Sequence, residues 1–166
     1  MNSLNKYSVI FRSIFAQSVP MSFFSTVLPV IMRMEKFSMT SIALIQLIKI
    51  PWVLKFLWAP LVDRNALTNS HYRRWIVASE LFYAASIIAI AFFNLATDFT
   101  TIIILMVLAI IFSATQDIAS DAFAVRILKK QERPFGNSIQ SMGNFGGTLI
   151  GSGFLLILTP LPDGIG

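Results

Sequence analysis

No cysteine occurs in the 166 residues of this chain, and histidine occurs once, as His71. The first absence removes disulfides, thiolate metal sites and thiol nucleophiles, and says nothing about compartment. The second leaves a histidine triad or a histidine metal cluster without material. Charge is also scarce: 13% of residues are Asp, Glu, Lys or Arg, where a soluble domain carries about a quarter. No nucleophile–base pair, metal cluster or phosphate-cradling glycine loop is present, so neither an enzyme nor a bound cofactor or metal is expected. A cleavable signal peptide is not expected either, because Arg12 interrupts the first apolar stretch and no small-residue cleavage site follows it.

What fills the chain is hydrocarbon. Hydrophobic residues make up 55% of it, and 15 residues are Phe. They gather in blocks close to the about 20 residues that a helix needs to cross a bilayer. The expected fold is all-α, a polytopic transmembrane helix bundle forming one unit over residues 1–166. Five spans are expected, at about 13–32, 39–62, 75–97, 99–125 and 135–159. Pro20, Pro29 and Pro51 fall inside spans, which membranes tolerate where neighbours satisfy the freed carbonyls.

The net charge of +5 raises the question of nucleic acid. The basic residues, however, stand at the ends of apolar blocks with no aromatic-interleaved basic surface between them. They read as orientation signals and as contacts with anionic headgroups of the lipid bilayer. Lys6 and Arg12 precede span 1; Arg64, Arg73 and Arg74 lie between spans 2 and 3; Arg126, Lys129, Lys130 and Arg133 lie between spans 4 and 5. Only Arg33 and Lys36 lie on the other side. This asymmetry predicts a cytoplasmic N-terminus in a multi-pass protein of the cell (inner) membrane. The chain then stops at TPLPDGIG after span 5, the pattern of an incomplete six-helix half or a partial reading frame.

Span 4 carries the first constellation. Ser113, Gln116, Asp117, Ser120 and Asp121 recur at i, i+3, i+4, i+7 and i+8 and form one polar stripe. An ionised Asp near mid-bilayer costs about 2.5–3.5 kcal/mol, so the stripe faces protein or a water-filled cavity. Two carboxylates one turn apart also repel unless a cation intervenes. Lys55 on span 2 has nearly the same depth as Asp117, and the two are expected to pair. The pair reads either as a structural ion pair or as a titrating, substrate-contacting site. Lys49 has no obvious partner in the sequence.

Span 5 carries the second. Gly143, Gly147 and Gly151 repeat every fourth position, a small-xxx-small ridge that admits another helix closely. It reads as static packing or as a smooth surface along which helices slide. A third feature is the short basic loop between spans 2 and 3, where Asp63 is out of place for a mere anchor.

LKFLWAPLVDR (54–64) followed by RRW, and SATQDIASDAFAVRIL (113–128) followed by QERPFGNSI, resemble the first half of the muropeptide permease (AmpG-type) branch of the major facilitator superfamily. The acetyl-CoA transporters are relatives of that branch. The likeness covers spans 1 to 5. It implies the N-terminal part of a twelve-helix secondary transporter whose two halves rock around a central site. It further implies that Asp63 and Arg64, with Arg73, Arg74 and Arg126 nearby, belong to the cytoplasmic gate motif. The glycine that usually opens that motif is Ala59 here, followed by Pro60. Lys55, Gln116, Asp117 and Asp121 match recurring positions, with Asp121 expected to serve the gate. Span 4 is expected to line the cavity, and span 5 to lie against the opposite half.

The function expected is a proton-coupled symporter importing cell-wall-derived muropeptides or a related polar solute, present as a fragment. Its partners are a small-molecule solute, protons, the bilayer and a missing C-terminal half or second chain; nucleic acid is not among them. The alternatives are a non-transporting membrane scaffold or assembly subunit, a truncated inactive transporter, or a transporter of an acetyl-CoA-like or other anionic solute.

Overall fold

The computed structural model of the chain describes residues 3–66, 68–94, 97–154 and 157, and no strand occurs among them. Eight α-helices, joined by short non-α turns, run in order: α1 Ser3–Ser22, α2 Leu28–Met34, α3 Met39–Ile45, α4 Ile50–Leu54, α5 Ala59–Asn65, α6 Asn69–Ile90, α7 Phe99–Ile127 and α8 Arg133–Thr148. They group into five rods. A π turn, Phe23–Val27, joins α1 to α2, and 3-10 turns at Gln46–Lys49 and Lys55–Leu57 join α3, α4 and α5. A 3-10 turn, Lys130–Glu132, leads into α8, which continues as a π segment, Leu149–Phe154.

Proline explains where the rods change winding. A helical proline has no N–H to give, and its ring presses on the carbonyl four residues back. Four residues before Pro29, Pro51, Pro60 and Pro134 stand Ser25, Leu47, Phe56 and Lys130, and each lies in one of these non-α turns. Pro20 sits inside α1 without such a break. At the corner between α2 and α3, Lys36 takes a φ of 61°, and the Ser38 hydroxyl then caps α3 by accepting from the Ser41 N–H at 3.1 Å.

The third rod begins earlier and ends sooner than its expected span. Asn69, His71, Arg73 and Arg74 form the first turns of α6, so His71 is helical rather than in a loop, and the helix stops at Ile90. Residues 95 and 96, and most of the stretch beyond 154, lie outside the described residues. Among the described residues, three rods are long and apolar enough to cross a membrane: Asn5–Met34, Met39–Leu57 and Phe99–Ile127. The polar start of α6 and the Asn-, Ser- and Gln-bearing face of α8 keep those two helices out of this group.

The central rod is α7, 29 residues long, or about 43 Å at 1.5 Å per residue. Around its first half pack Phe24, Met32, Ile45, Ile48 and Tyr83, with its own Met106 and Ile110 fully enclosed. Around its last third pack Val62, Tyr72 and Ile76 against Ala119 and Phe123. Where these apolar cores meet lies a layer of buried polar side chains, Ser113, Thr115, Gln116, Asp117 and Ser120. The outside is oily: Val53, Phe56, Leu61, Leu81 and Leu149 are each at least 60% exposed, as suits hydrocarbon.

The glycine ridge lies on α1 of the same chain. A Cβ at Gly143 would stand 3.0 Å from the Phe11 carbonyl oxygen, and one at Gly147 would stand 2.9 Å from that of Phe15. At Gly151 it would collide with the Val19 carbonyl. Hydrogen bonds join the same two rods, from the Ser18 hydroxyl to Asn144 Oδ1 at 3.4 Å and from Ser22 to the Thr148 carbonyl at 3.3 Å. The expected contact of span 5 with an opposite half is thus not the use made of these three glycines; without side chains, that face lets α8 close on the nearest backbone. At the other end of α1, the Lys6 ammonium lies 3.5 Å from Glu132. The Lys129 N–H and that ammonium hold the Glu132 carboxyl below the ordinary range.

Candidate functional site

The polar layer is built from three rods. From α7, Ser113, Gln116, Asp117 and Ser120 project on one stripe, and all four are buried, Asp117 at 8% exposure. The stripe faces protein, chiefly α1, and not lipid: Gln116 Nε2 donates to the Ser13 carbonyl at 3.3 Å. Gln17 Nε2 donates to Asp117 Oδ1 at 3.0 Å. The second rod supplies the cation. Lys55 Nζ forms a salt bridge with Asp117 Oδ2 and lies 5.1 Å over the Trp52 ring, a cation–π contact. Lys55 opens the 3-10 turn Lys55–Leu57 that Pro60 imposes, so the break in the rod is what aims the ammonium at α7.

Next to the pair, Trp58 Nε1 donates to Thr115 Oγ1 at 3.1 Å, and that hydroxyl donates to the Ile111 carbonyl at 2.8 Å. The Tyr83 hydroxyl on α6 donates to the Gln17 carbonyl at 3.3 Å. Four oxygens of this layer, Gln17 Oε1, Ser113 Oγ, Gln116 Oε1 and Ser120 Oγ, are buried with no hydrogen-bond partner among the described residues. Above the ion pair, Gln17, Ser22, Ser25, Trp52, Asn144 and Thr148 line a cavity of about 320 Å³. Its wall mixes amide, hydroxyl and indole groups with the apolar side chain of Met21, and carries no charge.

The remaining site residues divide differently from expectation. Asp121 does not join the gate residues: its Oδ1 accepts from Gln140 Nε2 of α8 at 2.9 Å. Four residues carry a helix through about 400°, so Asp121 stands about 40° round α7 from Asp117, toward α8. Asp63 instead accepts from the Tyr72 hydroxyl at 3.2 Å, and the Arg126 guanidinium lies 5.9 Å over the Tyr72 ring. Arg126 is about 140° round α7 from Asp121, which places it on the side of α5 and α6. Arg73 lies 5.6 Å over the Phe123 ring. Arg64 and Arg74 are exposed and take no part in this cluster. Lys49 is half-buried and has no ion pair among the described residues. No group of three or more His, Cys, Asp or Glu among the described residues is placed to hold a metal.

Sequence reasoning missed Gln17. Its signal was present in span 1, where Ser13, Gln17, Ser18 and Ser22 mark one side of an otherwise apolar stretch. The Trp58–Thr115 bond left no such sign.

The family model of the Major Facilitator Superfamily matches residues 8–162. The chain belongs to that superfamily. Among relatives, the Anhydromuropeptide permease of Escherichia coli K12 is 32% identical over 145 residues, covering 87% of this chain and 30% of the relative. An uncharacterized protein of Haemophilus influenzae is 34% identical over 126 residues, covering 75% of this chain and 30% of the relative. An uncharacterized protein of Schizosaccharomyces pombe is 27% identical over 154 residues, covering 86% and 29%. The chain thus spans about 30% of the length of the curated relatives it matches. Family and apolar rods together make it a multi-pass membrane protein with an all-α major facilitator fold, similar to the AmpG permeases. The range matched by the family model includes the helices that carry Lys55, Asp63 and Asp117.

Proposed function

We propose that this chain forms the N-terminal part of a proton-coupled importer, and that Asp117 is the group that takes up and releases the coupling proton. The observation that carries the reading is the Lys55–Asp117 salt bridge, held by Gln17 inside a polar layer where two apolar cores meet. An intramembrane charge pair is costly to keep unless it is used or structurally required. A proton arriving at Asp117 would remove its charge and weaken its hold on Lys55. The second rod would then be released from α7, a change of packing that a rocking transporter can use. Asp63, Tyr72 and Arg126, joining α5, α6 and α7, would latch the cytoplasmic side.

The solute is proposed as a cell-wall-derived muropeptide or a related polar molecule, the class named for the similar permease of Escherichia coli. The cavity carries amides, hydroxyls and an indole beside Met21 and no cation, which suits a solute with hydroxyl and amide groups better than a polyanion such as an acetyl-CoA-like molecule. We further place the protein in the inner membrane with its N-terminus in the cytoplasm, on the distribution of Lys and Arg. In whole cells carrying the complete protein, Asp117→Asn is expected to abolish uptake of labelled muropeptide while leaving membrane insertion intact. Normal, pH-dependent uptake by that variant would count against the assignment.

A further inference from the structure

If Asp117 gains and loses a proton, it must be accommodated in both states inside the same buried layer. An ionised carboxylate only accepts hydrogen bonds, whereas a protonated one also donates. A rigid neighbour suited to one state leaves a buried group unmade in the other, at a cost that decides how readily that state is visited.

Gln17 meets both demands. It is 5% exposed, its Nε2 donates to Asp117 Oδ1 at 3.0 Å, and its Oε1 is buried without a partner. Charge fixes which amide atom faces Asp117, since the carboxylate needs a donor. The last torsion of a glutamine side chain is broad and roughly two-fold, so a half-turn exchanges nitrogen and oxygen at little rotamer cost. The backbone beneath is held, because the Tyr83 hydroxyl donates to the Gln17 carbonyl at 3.3 Å. The side chain can therefore turn without moving α1.

We infer that Gln17 is a positioning residue that serves both protonation states of Asp117 by turning its amide over. The inference rests on the reading of Asp117 as the proton-binding group. With Asp117 ionised, Nε2 donates to Oδ1 and Lys55 holds Oδ2. When Oδ1 takes one proton from hydronium, releasing water, the new O–H donates to Gln17 Oε1, and the now neutral carboxyl holds Lys55 at Oδ2 less strongly. No other covalent bond is made or broken. The charged groups facing Asp117 are Lys55 from the second rod and Asp121 one turn along α7, itself held by Gln140 of α8. The other elements packed there bring neutral groups: Gln17 and the Ser13 carbonyl from α1, and the Tyr83 hydroxyl from α6.

Infrared difference spectra of the purified chain across a pH titration read the event directly, with Asp117→Asn identifying the Asp117 carboxyl band. Gln17→Met keeps the volume and removes both the donor to the anion and the acceptor for the acid. The band of protonated Asp117 is then expected to lie at higher wavenumber than in the unmutated chain, because its O–H no longer donates to Gln17 Oε1. In the unmutated chain, the side-chain amide NMR signals of Gln17 are expected to shift with the same midpoint as the carboxyl band, which depends on no variant folding. An unchanged band position in a folded Gln17→Met, or a Gln17 amide indifferent to the titration, overturns the inference. Absence of any Asp117 carboxyl band removes instead the proton-binding reading, and the inference with it.

Discussion

Asp117 is the residue on which the interior turns, because it spends its two oxygens on two different rods. Lys55 holds Oδ2 from the second rod and Gln17 holds Oδ1 from α1. Removing one partner of a buried pair costs more than removing both, since the survivor keeps its desolvation penalty. Lys55→Met is therefore expected to destabilise the chain by about 2–3 kcal/mol, below the fully buried range because the Lys55 side chain is 32% exposed. Lys55→Met combined with Asp117→Leu should recover much of that loss without recovering uptake. Thermal unfolding in detergent separates the two outcomes, and equal losses in single and double variants would contradict the argument. A gentler case is Tyr72→Phe, which deletes the bond to Asp63 and is expected to cost about 0.5–1.5 kcal/mol. The Lys55–Asp117 pairing was legible beforehand, because both residues sit at one depth on rods running the same way. Gln17 was not, since a glutamine amid serines announces no partner until the helices are docked.

At the scale of elements, proline and glycine do opposite work. Prolines at 29, 51, 60 and 134 are each preceded, four residues back, by a turn that is not α, and one of these turns presents Lys55 to α7. Glycines at 143, 147 and 151 let α8 close on the backbone of α1. Gly147→Leu is expected to force the two rods apart and lower stability by about 1–3 kcal/mol, the usual cost of overpacking. Gly153 has nothing within 4 Å of the position a Cβ would take, so Gly153→Ala should be neutral or slightly stabilising. Melting temperatures in detergent test the contrast; similar shifts at both positions would show that the ridge is not a contact. The repeat of small residues was visible in the sequence, but its choice of partner was not, since any close helix satisfies the same spacing.

For the whole molecule, the prediction concerns orientation. The chain lacks cysteine, so single cysteines introduced at the exposed positions Ser70, Gln131 and Lys36 label without background. Impermeant thiol reagents are expected to reach position 36 from outside intact cells, and positions 70 and 131 only after the cytoplasmic side is opened. The reverse pattern would invert the topology.

Hydrocarbon content, the five helical rods and the loop charges were determined by composition and order alone, because transfer of apolar side chains from water and the siting of Lys and Arg depend little on which helix meets which. The tertiary structure decided the pairings: Asp121 with Gln140 and not with the gate residues, the glycine face with α1, and Gln17 with Asp117. Those depend on the rotation of each rod about its axis to within a few tens of degrees, and that angle emerges only when the rods pack together.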